Sequence, residues 1–305
     1  MPVASTQDKQ RRGDSLTRQS ELSSVFSEHR SGKMTYADPA MPWYLRIAVH
    51  ATEICTGRPL LQMRYVRARP ALRQASPGAD VWDRAIDAMN IRGDSWPAEA
   101  DLARLRRPGR GLLIVANHPF GVVDGVVLSW ISSRIDEQFY VIATGVLCIE
   151  PNLNSHILPI DFSSRSDAAK RNLVSRQLAL EKLRGGGVVS LFPAGSVGAP
   201  PRRGEKPVDY EWKAMTGRLI NRSGCDVLPI HFRGCNSGLF QSLCPYPDLR
   251  QALYLRETRR LLDRECRFEV RPVIRSEDIP GDMKASQLAL WLRERLSLDT
   301  PLDDA

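Results

Sequence analysis

The chain lacks the features that mark several common protein classes. No run of 18 or more apolar residues is free of charges or breakers, so no membrane-spanning helix is expected. Its six cysteines (Cys55, Cys148, Cys225, Cys235, Cys244, Cys266) form no C-x-x-C, and its five histidines are scattered. That spacing predicts neither a disulfide framework nor a zinc site, only ordinary reduced thiols. The opening MPVASTQDKQRRGDS has no apolar h-region, which predicts no secretory signal. Aromatics are 7% of the chain and sit mostly inside apolar runs. A nucleic-acid binder wants them interleaved with basic residues along one face, so no nucleic-acid partner is expected. Lysine is scarce as well, seven of the 43 basic residues, which leaves 36 arginines.

What is present is an ordinary globular composition. Of 305 residues, 42% are hydrophobic and 26% charged, enough for a core and against general disorder. The formal charge is +8 and the pI about 9.4. Arginine forks suit phosphate and carboxylate, so an anionic substrate or surface is the natural partner.

Residues 1 to 38 are polar and without periodic apolar positions, and read as a disordered basic tail. From residue 39 onward the chain reads as a single domain. Helices are predicted over MPWYLRIAVHATEICTG, ending at Gly57, over Leu60–Gln74 and around Val81–Asn90. Then the pattern alternates. Strands are predicted at 111–117, 139–144, 156–161, 188–195, 225–232 and in CRFEVRPVI. Helices are predicted over VDGVVLSWISSR, DAAKRNLVSRQLALEKLR, YEWKAMTGRLINRSG, Leu249–Leu262 and Ala285–Leu296. Alternating strands and helices predict an α/β fold with a central, largely parallel sheet flanked by helices, plus an N-terminal helical segment.

The most informative stretch is strand, N-H-P-F-G-V-V-D, helix. His118 and Asp124 are six residues apart, which places them about 120° apart on a continuous helix and about 20 Å apart in a strand. A sharp turn at Pro119 and Gly121 brings them together. Asp124 would then fix the tautomer of His118 and leave the other ring nitrogen as a general base. Equally, a histidine can simply end a strand, and an aspartate can sit in a first helical turn for its favourable dipole. A second turn, F-P-A-G-S-V-G, also follows an apolar strand, and its backbone N–H groups suit an anion or oxyanion. Ser196 there does not complete G-x-S-x-G, because Ala194 stands where the first glycine belongs. Gly185–Gly187 reads as a helix C-cap rather than a nucleotide fingerprint.

In order and spacing, Asn117-His118 with Asp124, Phe192-Pro193 with Gly195, and Val227-Leu228-Pro229 resemble the glycerolipid acyltransferases. More narrowly, NHPFGVVDG, FPAGSVGAP, EWK and LPIHFRGCNSGLFQ look like the bacterial branch that acylates lysophospholipids or lyso-aminolipids such as lyso-ornithine lipid. The resemblance covers about residues 80 to 295. It implies acyl transfer from acyl-CoA or acyl-carrier protein to a lyso-lipid hydroxyl, with no further cofactor and no metal. His118 would be the base and Asp124 its partner. Asn117, Phe192, Pro193, Gly195, Ser196 and the arginines Arg165, Arg171 and Arg233 would meet substrate. Two departures stand out: H-x5-D replaces the usual H-x4-D, and F-P-A-G-S replaces F-P-E-G-T. The acidic side chain of the common turn is missing, so acceptor contacts do not carry over there.

A lipid enzyme without a spanning helix must dock peripherally, expected here on the anionic cytoplasmic face of the inner membrane. Met41–Arg73, with Trp43, Tyr44 and several arginines, is the candidate surface, although packing on the sheet would use the same residues. Two alternatives remain open: an esterase or thioesterase using Ser196 with His118, and a catalytically inactive protein that binds anionic membranes.

Overall fold

The computed structural model describes residues 35–37, 41–144, 150–160, 168–202 and 204–295. Three N-terminal helices, α1 (Trp43–Thr56), α2 (Arg58–Gln74) and α3 (Ala79–Met89), precede a short α4 (Glu99–Ala103). The α/β part then runs β1 (Leu112–Ala116), α5 (Val122–Ile135), β2 (Phe139–Ala143), α6 (Pro151–Asn154), β3 (Ile157–Pro159), α7 (Ala168–Arg184) and β4 (Val188–Leu191). It closes with α8 (Ala214–Ser223), β5 (Asp226–Phe232), α9 (Gly238–Ser242), α10 (Pro247–Ala252), α11 (Tyr254–Leu261), β6 (Phe268–Val270) and α12 (Ala285–Arg295).

The six strands lie in the order β3-β2-β4-β1-β5-β6. Five are parallel and β6 runs antiparallel to β5, which is the α/β, largely parallel architecture expected from the alternation. Leu112–Ala116 are buried throughout, as a central parallel strand covered on both faces demands. α5 is apolar or small almost all round and is buried along nearly its whole length. Its serines satisfy themselves locally; Ser129, for example, donates to Gly125 O at 2.8 Å.

The strands expected over 188–195 and in CRFEVRPVI shorten to Val188–Leu191 and Phe268–Val270, and two of the expected helices differ from the sequence reading. The helix expected from Tyr210 begins at Ala214, with Lys213 extended ahead of it and its N–H bonded to Pro193 O at 3.0 Å instead of to a helical carbonyl. The helix expected over Leu249–Leu262 is divided between α10 and α11, with Leu253 at the joint. Buried Glu257 ties α11 to a loop: it receives the Ser237 N–H at 2.8 Å and the Ser237 hydroxyl at 2.7 Å.

The expected tail lies outside the described residues except for Thr35–Ala37. Those three run beside α1. Fully buried Glu53 accepts the Tyr36 N–H at 2.6 Å and the Thr35 hydroxyl at 2.8 Å, and pairs with Arg58 at 3.1 Å.

Candidate active site

β1 and β4 are parallel neighbours, with Val115 opposite Leu191. The turns that follow them therefore leave the sheet side by side, at the carboxyl end where open α/β sheets place their sites. The first turn carries His118. Its Nδ1 lies 3.0 Å from Asp124 Oδ2, and since an ionised carboxylate only accepts, that contact assigns the proton to Nδ1. Asp124, in the first turn of α5, is fully buried. Its Oδ2 also takes the Phe120 N–H at 2.9 Å, and its Oδ1 takes the Gly125 N–H at 2.9 Å. The imidazole itself is 16% exposed, which leaves Nε2 open to a substrate.

Gly121 is what lets five residues separate the pair. Its φ is +100°, and a Cβ there would stand 3.1 Å from the Tyr254 ring. An L side chain there would be strained by the backbone and crowded by the ring.

The second turn meets the first face to face. The Phe192 ring stacks on His118, centroids 3.9 Å apart and planes 20° apart. Gly198 N–H bonds His118 O at 2.9 Å. Pro193 is buried, Gly195 half-buried at φ +70°, and Ser196 exposed. The Gly195 N–H closes the turn onto Phe192 O at 3.0 Å, so that amide serves the turn instead of facing an oxyanion. Ser196 and the imidazole, both described, share no hydrogen bond, and the Ser–His pair of an esterase is not assembled.

The remaining sequence-derived candidates divide. Asn117 sits beside His118, but both ends of its amide bond the Phe232 backbone, at 2.9 and 2.7 Å. It clips the end of β1 to the end of β5. Arg233 is ion-paired with Glu269 of β6 at the sheet edge. Arg171 lies near the start of α7. Arg165 lies outside the described residues, as do Cys148 and Arg203.

Several residues at the site carry no local sequence signal. Asp209 is buried and accepts the His118 N–H at 3.0 Å and the Trp212 indole N–H at 3.3 Å. Asn236 Nδ2 donates to Phe120 O at 3.2 Å. Arg250, from α10, reaches Gly198 O at 2.7 Å and steadies the second turn. Tyr36 packs on Tyr254, centroids 5.2 Å apart, and Tyr254 borders Gly121. Burial, reinforced by Tyr254, Glu53 and Asp124, pushes the Tyr36 hydroxyl far above its ordinary range. The EWK triplet was a hint, but the partners of Asp209 and Asn236 are about a hundred positions away in sequence.

Burial also pushes Asp209 up to about 6, against the two N–H bonds that favour its charge. The sign is unusual for an aspartate. The native state holds this proton more tightly than the unfolded chain, whose carboxyl titrates near 3.9. Its contribution is therefore fully present below about pH 4 and lost as pH rises through about 6. At neutral pH the ionised group costs about 3 kcal/mol of stability at about 1.4 kcal/mol per pKa unit. Asp209→Asn is expected to gain on the wild type by 1–3 kcal/mol, an order-of-magnitude figure, between pH 5.0 and 7.5. Denaturant melts of the two proteins at both pH values measure this, other titrating groups cancelling in the difference. Parallel pH dependence would show that Asp209 titrates normally.

No helix among the described residues is long and apolar enough to cross a membrane, and no group of three His, Cys, Asp or Glu among them could hold a metal ion. No family model matches the chain. A curated protein, the lyso-glycine lipid O-acyltransferase of Phocaeicola vulgatus, is 28% identical over 130 residues, which span 42% of this chain and 44% of that protein. The chain is thus similar, over less than half of either length, to a bacterial O-acyltransferase.

Proposed function

We propose that the protein is an O-acyltransferase that moves a fatty acyl group from acyl-CoA or acyl-carrier protein to the hydroxyl of a lyso-lipid. The observation that carries this reading is the geometry of His118: Nδ1 held by a fully buried carboxylate, the ring backed by Phe192, and Nε2 open. The similarity to a lyso-glycine lipid O-acyltransferase supports it.

In this mechanism Nε2 takes the proton of the acceptor hydroxyl as the oxygen attacks the thioester carbonyl. Asp124 stabilises the imidazolium without itself being protonated. The tetrahedral intermediate collapses, the C–S bond breaks, and the leaving thiolate receives the proton back from Nε2. The products are the acylated lipid and a free thiol. Purified enzyme with labelled acyl donor and a panel of lysophospholipids, lyso-aminolipids and glycerol-3-phosphate tests the reading. Acylated lyso-lipid is the expected product; free fatty acid alone, or product from glycerol-3-phosphate alone, would overturn it.

Docking on an anionic membrane face, the cytoplasmic side of the inner membrane, completes the proposal. Seven of the 13 large hydrophobic side chains exposed among the described residues lie on α1 and α2. Trp43 (72% exposed), Tyr44, Ile47 (59%) and Ile54 share roughly 100° of α1 at about 100° per residue, while Val49 and Glu53 face inward. Leu60, Met63 and Val66 form the matching stripe on α2. Arg46 and Arg67 are exposed beside these stripes and suit acidic headgroups. Each aliphatic side chain returned to water costs about 1.5–3 kcal/mol. The double variant Ile47→Asp, Ile54→Asp should therefore lose at least about 100-fold in partitioning to phosphatidylglycerol vesicles. Co-sedimentation measures it, and undiminished binding would remove α1 from the docking surface.

A further inference from the structure

The turn that carries the general base hinges on a residue with no side chain to hold it. Gly121 sits between His118 and Asp124 at φ +100°, and glycine takes other conformations as readily as this one. The turn is braced from outside instead. A Cβ at Gly121 would stand 3.1 Å from Tyr254 Cδ1 and 3.5 Å from Val197 Cγ2. The Tyr254 ring, from α11, and Val197, from the second turn, therefore close over the bare glycine.

Tyr254 belongs to a small apolar cluster of its own, built on buried Val197, Phe240 and Leu253 and separate from the sheet core. Its ring meets Phe240 at 63°, centroids 5.1 Å apart. It also meets the ring of Tyr36, centroids 5.2 Å apart and planes 34° apart. Tyr36 comes from ahead of α1, at the end of the polar N-terminal stretch. Fully buried Glu53, on the inward face of α1, fixes it there through the Tyr36 N–H at 2.6 Å and the neighbouring Thr35 hydroxyl at 2.8 Å. That N–H makes the one hydrogen bond of Tyr36 among the described residues, so the phenol contributes its ring rather than its hydroxyl. Asp124 is near enough for its charge to act on that phenol.

We propose that Tyr36 is a positioning residue for catalysis: through Tyr254 it holds the Gly121 turn in the conformation that sets His118 on Asp124. The inference rests on the acyl-transfer reading for its effect on rate. It makes the last residues of the polar N-terminal stretch part of what aims the base. The brace is local, because the small cluster packs apart from the sheet core. Its removal should loosen the turn while the sheet stays closed. A dyad misplaced by about 1 Å loses about 100-fold in rate.

Three single variants and one double variant test this. Tyr36→Ala should lower kcat about 10–100-fold while KM stays within about threefold of wild type. Tyr36→Phe, which keeps the ring, should recover most of that loss. Tyr254→Leu should also lower kcat, and adding Tyr36→Ala to it should change kcat by less than about threefold, since the contact between the two rings is already gone. A readout independent of turnover is the Nδ1 proton of His118, followed by NMR. Its exchange with water should be at least about tenfold faster in Tyr36→Ala than in the wild type. Near-normal kcat in Tyr36→Ala overturns the proposal, as does an equal loss in Tyr36→Phe. A raised KM with kcat unchanged would make Tyr36 a substrate contact and overturns it too. So do additive losses in the double variant, or a loss of kcat that disappears at assay temperatures well below the melting temperature of the variant. Should the wild type transfer no acyl group, the acyl-transfer reading fails by itself. Proton exchange then decides the matter for Tyr36, equal rates in wild type and Tyr36→Ala overturning it.

Discussion

His118→Ala should lower acyl transfer by about 10³-fold, within the 10²–10⁴ that a positioned general base contributes. The protein should stay folded, because what His118 gives to the fold is mostly backbone. Its N–H is held by Asp209 and its carbonyl by Gly198, and both bonds survive the substitution. The ring leaves behind a lost stacking contact with Phe192, worth about 1 kcal/mol, and takes one hydrogen bond from buried Asp124, at about 1–3 kcal/mol, while the Phe120 and Gly125 N–H groups stay on that carboxylate. Single-turnover assays with lyso-lipid and acyl donor, beside thermal melts, separate the two effects. Near-normal turnover in the variant would sink the mechanism, whereas collapse of both activity and melting temperature would show a structural histidine.

Asp124→Asn should be at least as severe in rate, and for a different reason. The carboxylate accepts from His118 Nδ1, Phe120 N–H and Gly125 N–H. An amide of the same size cannot accept on both of its ends. If its NH₂ faces the imidazole, it donates to Nδ1, moves the ring proton to Nε2 and abolishes the base. In either orientation the NH₂ also meets a backbone N–H, that of Phe120 beside the imidazole or that of Gly125 on the other side, and two donors collide in a buried site, at a cost of about 1–3 kcal/mol. A loss of 10³–10⁴ in kcat is expected, of the order seen when a triad histidine is put into the wrong tautomer. KM should change little, since no substrate contact is removed. A variant that keeps more than about a tenth of wild-type kcat would mean that Asp124 serves only the turn, an effect far smaller than base catalysis supplies.

Much of this was legible in the sequence, and where it was not, distance explains the failure. The runs GLLIVAN and CDVLPIHF announce central strands by being apolar throughout, and the structure places them side by side as β1 and β5. Breakers located the turns: Pro119 and Gly121 after β1, Pro193 and Gly195 after β4. The spacing of His118 and Asp124 required such a turn, and the turn is there. No periodicity could reveal Asp209, whose carboxylate serves an amide 91 residues earlier, or Glu257, whose charge holds a loop 20 residues away. The outward apolar faces of α1 and α2 escape an amphipathicity reading for another reason. A helix packed on a sheet and a helix laid on a bilayer show the same stripe, and only the fold says which way it points. A position just past a strand end made Arg233 a candidate ligand, and what no spacing could show is that a carboxylate on the neighbouring strand pairs with it.

The adjacency of β1 and β4 has a consequence for how this chain tolerates change. The two halves of the site are 74 positions apart from His118 to Phe192, yet one rung of the sheet, Val115 opposite Leu191, sets their separation in space. Everything threaded between them, α5 through α7, can lengthen or shorten in its connections without altering that rung. Insertions of several residues into those connections should leave the reaction centre intact, since loop closure costs only about 0.6 kcal/mol per doubling of length. A one-residue slip of β4 against β1 would carry Phe192 off His118 and end the chemistry while every motif remained in the sequence. Selection on such a protein acts on strand register before it acts on length.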